Sequence, residues 1–151
     1  METDEELLAH ELKDIFFAEQ EQVKMLKTLA KESTRKDIKS AYKIHLAETK
    51  NHVKRIKNSF RMLGMKPKPE TCYAIIGLAR EYKHFKSEKP TKVILDKYNL
   101  GAAMKAEHYE ISSYENIIKI AADLGFDDVS RELEMNLQEE RMALANLQAM
   151  A

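Results

Sequence analysis

Apolar residues recur at helical spacing along five stretches of this chain. Leucines, isoleucines and phenylalanines return every three or four residues, the spacing that places side chains on one face of an α-helix. No stretch shows the two-residue alternation of a β-strand. The pattern predicts four long helices and one short helix, over residues 4–32, 35–63, 73–85 (the short one), 91–124, and 127 or 128 to the C-terminus.

Capping residues and helix breakers mark the ends of these segments. Thr3 and Glu6 have the spacing of a capping box before the first helix. Polar or helix-breaking residues stand at each later boundary, because they satisfy or terminate the backbone hydrogen bonds of a helix. They are Ser33 and Thr34, Gly64, Pro67 and Pro69, Pro90, Gly125, and Asp127 or Asp128.

The lengths of the connections predict how the helices pack. The first and last pairs of long helices are joined by very short links, which force antiparallel hairpins. The second and third long helices are separated by a longer crossover that contains the short helix. We therefore expect one all-α domain over residues 1–151, an antiparallel four-helix bundle of the crossover type with a short extra helix in the crossover.

Composition narrows the range of partners. The chain has 25 lysines and arginines against 25 aspartates and glutamates, which gives no electrostatic attraction to nucleic acid or to an anionic membrane. No run of about 18 apolar residues is present. The single cysteine, Cys72, suits a reducing compartment and is predicted to be a buried apolar residue. We expect a cytoplasmic protein that binds neither nucleic acid nor membrane.

The first candidate chemistry lies in the third long helix. Glu107 and Glu110 are three residues apart, so a helix places both carboxylates on one face, one turn apart. Two acids on an inward face repel each other and lose hydration unless a cation lies between them. Such a pair is more commonly a solvated surface, so the hypothesis depends on what the other helices bring to the same height.

Residues at the same height in an antiparallel hairpin are found by counting outward from its turn along both helices. Glu19 is predicted to lie level with Glu48 in the first hairpin, and Glu110 level with Glu140 in the second. Glu140 is preferred over its neighbour Glu139, which is turned by about 100° and is predicted to face away. Each long helix can therefore contribute one glutamate to a common layer.

Histidines can join this layer from the second helix. His52 follows Glu48 by one turn and His45 precedes it by one turn, so the three side chains share a face. We assign His52 as the imidazole ligand, with His45 as the alternative, whereas His108 is predicted to point away from the layer. The layer could thus combine up to five carboxylates with one or two imidazoles. A glutamate from each of two helices, with glutamate and histidine from the others, is the ligand pattern of di-iron and di-manganese bundles. The predicted metal ligands are Glu19, Glu48, His52, Glu107, Glu110 and Glu140.

Several short stretches carry a resemblance to a known family: 11–14, 18–19, 45–49 with Arg55, 63–64, 71–72 with 77–78, 107–111 with Tyr114, and 137–140. In order and along nearly the whole chain, they resemble the YciE/YciF family of ferritin-like proteins, which implies a ferritin-like antiparallel four-helix bundle. The resemblance implies a homodimer connected with bacterial stress responses, and a likeness to rubrerythrin supports Glu107, Glu110 and Glu140 as ligands. One departure is Leu144, where relatives commonly have an aspartate.

Two functions follow as hypotheses. The first is a redox bundle whose iron, or alternatively manganese, reacts with O2 or peroxide. The second is a metal-free structural homodimer that acts through partner contacts during stress. The absence of aspartate at position 144 and of any Cys-x-x-Cys pair favours the second.

Overall fold

The computed structural model describes all 151 residues and contains only α-helices. The predicted all-α fold is confirmed, and so are the predicted ends of the helices, to within two residues. The helices are α1 Asp4–Glu32, α2 Lys36–Met62, α3 Tyr73–Ser87, α4 Lys92–Asp123 and α5 Asp127–Met150.

The ends of the helices follow local chemistry, with two corrections. The capping box of Thr3 and Glu6 is formed, and Gly64 and Gly125 have positive φ angles of 68° and 79° after α2 and α4. The prediction that Ser33 or Thr34 caps α2 is wrong, since the N-cap residue is Arg35 and the backbone N–H of Thr34 donates to Asp96.

The second correction concerns α5. Its N-cap residue is Phe126, which makes no side-chain capping bond, and Asp127 and Asp128 lie in the first turn. Both carboxylates still favour the helix electrostatically, because the N-terminus of a helix carries partial positive charge. The predicted start of the helix therefore holds although its predicted cap does not.

Two antiparallel hairpins form the ferritin-like bundle. α1 packs on α2 and α4 packs on α5, while α2 also contacts α5 and α1 also contacts α4, so the four long helices close a ring. α3 lies in the crossover, against the outer sides of α4 and α1. None of the helices is both long enough and apolar enough to cross a membrane.

Two apolar clusters fill the bundle, one on each side of its middle. The larger cluster includes Leu12, Phe60 and Leu133 and lies towards the end with the α2–α3 and α4–α5 connections. The smaller includes Leu29, Tyr42 and Leu147 and lies towards the α1–α2 connection. Between them, every long helix contributes buried polar side chains, which we call the polar layer. They are Glu19, Gln22, His45, Thr49, His52, Glu107, Glu110, Asn136 and Glu140.

Candidate metal centre

Four glutamates and two histidines converge in the polar layer. All four glutamates and His52 have no exposed surface, and His45 is only 6% exposed. Each sits on the inward face of its helix, where neighbouring turns carry core residues such as Phe16 in α1 and Leu137 in α5. The helices contribute Glu19 from α1, His45 and His52 from α2, Glu107 and Glu110 from α4, and Glu140 from α5.

The first half of the layer is built around His52. Its Nδ1 lies 3.1 Å from Glu19 Oε1 and 2.9 Å from Glu140 Oε1. The three groups come from α1, α2 and α5, and one ligand atom from each lies within 4.8 Å of the others. This is the separation that allows three side chains to bind one ion.

The second half is built around His45. Its Nε2 lies 2.9 Å from Glu107 Oε1 and 3.3 Å from Glu140 Oε2. These three groups also have ligand atoms within 4.8 Å of one another. Glu140 belongs to both triads, with one oxygen towards each histidine.

Several of these close atoms are not aligned for hydrogen bonds with each other. His45 Nε2 and both oxygens of Glu107 and Glu140 lack a hydrogen-bond partner, as do Glu19 Oε2 and Glu110 Oε1. Buried polar atoms are normally satisfied, because leaving them without partners costs free energy. Lone pairs that converge on a shared space instead of on each other are the arrangement a cation requires.

The electrostatics of the metal-free layer follow from its crowding. Burial, together with the charges of neighbouring carboxylates, raises the pKa of Glu110 and Glu140 well above the usual value. Burial also opposes the ionisation of Glu107, but contact with Glu140 and the charge of His45 lower its pKa. Protons therefore occupy part of the layer when no cation is present.

The histidines respond in the opposite direction to burial. Burial alone would lower the pKa of His45, but the charge of Glu107 and contact with Glu107 and Glu48 raise it to about 10. The pKa of His52 is also raised, because Glu19 and Glu139 outweigh burial. Metal-free protein at neutral pH therefore holds His45 as an imidazolium, and a metal ion that binds its Nε2 must displace that proton.

A carboxylate at the rim stands behind each imidazole. Glu139 Oε2 lies 2.8 Å from His52 Nε2, and Arg55 donates to both Glu139 oxygens. Glu48 Oε2 lies 3.2 Å from His45 Nδ1. A carboxylate that accepts from the outer nitrogen fixes the ring and leaves the inner nitrogen free for a metal. The inner nitrogens here are Nδ1 of His52 and Nε2 of His45.

Neutral side chains hold two of the acids in place. The Tyr114 hydroxyl donates to Glu19 and accepts from Asn136 Nδ2 at 3.0 Å. Gln22 Nε2 donates to Glu110 Oε2 at 3.4 Å, the only side-chain hydrogen bond to that carboxylate. Glu110 is thus buried beside both triads without belonging to either.

The structure brings together five of the six predicted ligands. Glu19, His52, Glu107, Glu110 and Glu140 are all buried in one layer. Glu48 is not with them, since its side chain is 32% exposed and its only ion pair is with His45. The predicted height of Glu48 opposite Glu19 is wrong by about one turn, because Glu19 instead faces His52.

Sequence reasoning also missed part of the site. The prediction that Glu139 faces away is wrong, since its side chain reaches His52 across the α2–α5 groove. His45, the alternative imidazole, lies in the layer together with His52. Nothing in the sequence near Glu139 indicates this contact. Its side chain is held by His52 and Arg55, both on α2.

Two further predictions concern residues outside the layer. His108 is exposed, as predicted from its helical position. Cys72 is fully buried, as predicted, and its Sγ lies 3.1 Å from the Tyr109 hydroxyl. Neither residue contacts the two triads.

The fold and the site define a class of protein, a ferritin-like four-helix bundle with a buried glutamate–histidine layer. Family comparison is consistent with this class. Residues 3–151 match the family described as a domain of unknown function, DUF892. The chain belongs to this family, and its resemblance to the YciE/YciF proteins is confirmed.

Individual relatives cover almost the whole chain. Protein YciF of Escherichia coli K12 is 30% identical over 142 residues, which are 93% of this chain and 86% of the relative. The crystal structure of that stress protein has a TM-score of 0.93 at 29% identity, covering 99% of this chain and 95% of the other.

Two other solved structures are similar. YcfI from Rhodopseudomonas palustris, described as a candidate structural protein, has a TM-score of 0.96 at 38% identity and covers 99% of this chain and 96% of its own. A protein from Xanthomonas campestris has a TM-score of 0.77 at 21% identity, over 97% of this chain and 90% of its own, and shows the fold alone.

Proposed function

We propose that the polar layer binds two metal ions, iron or alternatively manganese, and that the loaded protein reacts with O2 or peroxide during stress. One observation carries the proposal. Seven buried oxygen and nitrogen atoms of Glu19, His45, Glu107, Glu110 and Glu140 have no hydrogen-bond partner. A layer of this kind costs stability in the metal-free protein, and cations remove that cost by accepting the unpaired lone pairs.

The donor set fits such ions. One ion would be held by Glu19, His52 and Glu140, and the other by His45, Glu107 and Glu140. Four carboxylates balance the charge of two divalent ions, and imidazole with carboxylate is a ligand mixture that suits iron and manganese. Glu110, beside both triads, is a carboxylate that can move onto either ion. Glu48 has the role of orienting His45 instead of binding metal.

The surrounding residues would serve the chemistry in three ways. Tyr114 donates its hydroxyl proton to Glu19 and so fixes that carboxylate. Protonated Glu110 and Glu140 can release protons when ions bind, because their pKa values are raised. The apolar clusters above and below exclude bulk water. Bound iron would supply the one-electron chemistry with the oxidant.

Metal content is the test. Protein purified without chelator, or reconstituted with Fe(II) or Mn(II), is expected to hold about two ions per chain by elemental analysis. Glu140→Ala is expected to lose both ions, because Glu140 belongs to both triads. Glu134→Gln, on the same helix outside the layer, is the matched control and should bind as wild type does. Equal metal content in Glu140→Ala and wild type would refute the assignment.

The alternative function is a metal-free homodimer that acts in the cytoplasm through partner contacts. Leu144 favours it, since the family resemblance implies an aspartate at that position, and the similar protein YcfI is described as a candidate structural protein. It predicts no stoichiometric metal after reconstitution and a dimer by sedimentation. Folded protein that takes up no Fe(II) or Mn(II) would favour this function over the first.

A further inference from the structure

A second site lies outside the bundle interior, where α3 packs against α1 and α4. The helices leave a partly open cavity of about 630 Å³. Ligand pockets commonly have volumes of about 300–1,000 Å³ and are mostly apolar. The cavity is therefore large enough for a small organic molecule.

The walls are apolar because small residues replace large ones on one face of α4. Ala102, Ala103 and Ala106 form the α4 wall, and their methyl groups leave room that a leucine would fill. Opposite them lie leucines and a methionine of α1 and the apolar face of α3. These residues are Met25, Leu26, Leu29, Ile75, Leu78 and Ala79.

The mouth of the cavity carries three lysines and one glutamate. Lys24 pairs with that glutamate, Glu21, at 2.6 Å, and Lys86 pairs with Glu32. Lys83 is exposed at the same mouth and forms no ion pair. One lysine is thus free to pair with a ligand. It favours an apolar molecule that carries a single negative charge at the end nearest the mouth.

The inner wall of the cavity touches the polar layer. Gln22 lines the cavity and donates to Glu110, so one side chain separates the cavity from the buried carboxylates. The neighbouring residue on the α4 wall is Ala106, directly before Glu107 in the sequence. A molecule in the cavity would lie against the outside of the layer without entering it.

We infer that this cavity binds a medium-chain aliphatic carboxylate, with its chain between α1, α3 and α4 and its carboxylate at Lys83. The apolar walls match the aliphatic chain, and the unpaired lysine at the mouth matches a monoanionic head group. The site does not depend on metal in the polar layer. It can therefore be tested on metal-free protein, so its failure and that of the proposed metal function are separable.

The experiment is calorimetric titration of metal-free protein with decanoate and with decanol, below the concentrations at which either aggregates. Both probes are expected to bind at one site per chain, since both fill the apolar walls. Decanoate should bind more tightly than decanol, because only decanoate can pair with Lys83. No saturable binding of either probe would overturn the inference.

Variants on both walls locate the site. Ala102→Leu on α4 and Ala79→Leu on α3 fill the cavity from opposite sides. Each should lower the affinity for both probes by about tenfold or more. Ala41→Leu, a half-buried alanine on α2 that lines a different, smaller cavity, is the matched control. Unchanged binding in both cavity-filling variants, with the fold intact by circular dichroism, would place the probes elsewhere and refute the site.

The charge is tested separately. Lys83→Gln should lower the affinity for decanoate by about threefold to fivefold, which is the contribution of one exposed ion pair. The affinity for decanol should not change. Lys54→Gln, an exposed lysine of α2 without an ion pair, should change neither. Equal affinities of the wild-type protein for decanoate and decanol would refute a carboxylate as the ligand.

A different outcome concerns the oligomeric state. If the cavity-filling variants alter it by sedimentation while no probe binds, the occupant is a second copy of the chain and the inference is wrong.

Discussion

The same four helices build two regions of opposite character, the larger apolar cluster and the polar layer above it. In the cluster, Phe16 and Phe60 meet edge to face with ring centres 5.6 Å apart, among buried apolar side chains from all four long helices. One to two turns away on each helix, the inward positions are glutamate or histidine. The helical spacing is unchanged between the two regions, and only the residue type differs.

The difference separates stability from function. Burial of apolar side chains in the cluster stabilises the fold, at about 25 cal/mol per Å² removed from water. The polar layer opposes folding, because carboxylates lose hydration and several of their atoms have no partner. Apolar regions on both sides hold the layer in place, so its ligands stay close together before any ion arrives.

The largest expected effect is on the apolar side of this comparison. Phe60→Ala should lower the free energy of unfolding by about 3–5 kcal/mol, because a fully buried ring is lost and a cavity remains. Urea denaturation measures it, with Met62→Ala, a half-exposed side chain, as a control expected within about 0.5 kcal/mol. Metal content per folded chain should not change. Lost metal in a still-folded Phe60→Ala protein would show that the two regions are not separable.

The pH dependence of metal-free protein comes next. The folded pKa of His45 is about 10 against an ordinary 6.5, so its stabilising contribution is full below pH 6.5 and is lost as the pH rises towards 10. The raised pKa values of Glu110 and Glu140 act in the same direction. Stability should therefore fall between pH 6.5 and 9.5, by on the order of 3 kcal/mol at about 1.36 kcal/mol per pKa unit.

Urea denaturation at several pH values tests this. His45→Gln should flatten the dependence, whereas His108→Gln, at an exposed position, should retain it. Bound metal should also flatten it, because ligation replaces the protons. A metal-free stability that stays constant or rises over this range would contradict the assigned charges.

A smaller effect is expected at the rim of the layer. Glu139→Gln should weaken metal binding by about 10–100-fold, because His52 loses the carboxylate that orients its ring. Glu134→Gln is the control on the same helix. Competition with a chelating dye gives the affinity, and unchanged affinity in Glu139→Gln would mean that packing alone orients His52.

The smallest effect is expected at the start of α1, where a loss of stability should leave metal binding in the polar layer unchanged. Thr3→Ala removes the capping bond to the backbone N–H of Glu6 and should lower stability by about 1 kcal/mol. Denaturation measures the loss, and metal affinity should remain that of wild type. A change in affinity would mean that the start of α1 is coupled to Glu19.

Much of the site was readable from helical periodicity. Glu107 and Glu110 share a face because they are three residues apart, and Glu140 lies between Leu137 and Leu144 on an apolar stripe. Both facts are local to one helix. Glu48 was misassigned because its height depends on how far α1 and α2 slide past each other, and a slide of one turn exchanges which residue faces Glu19. Glu139 was misassigned because its contacts lie on another helix, α2, at His52 and Arg55.

The sequence by itself determined the helices, their order and the antiparallel pairing, since apolar spacing, caps and short connections act within or between adjacent segments. Only the tertiary structure decided that both histidines enter the layer, that Glu140 faces the two together, and that Glu48 and Glu139 stand behind them. It also decided the cavity beneath α3. These features depend on interhelical rotation and offset, which arise from the packing of all the helices at once.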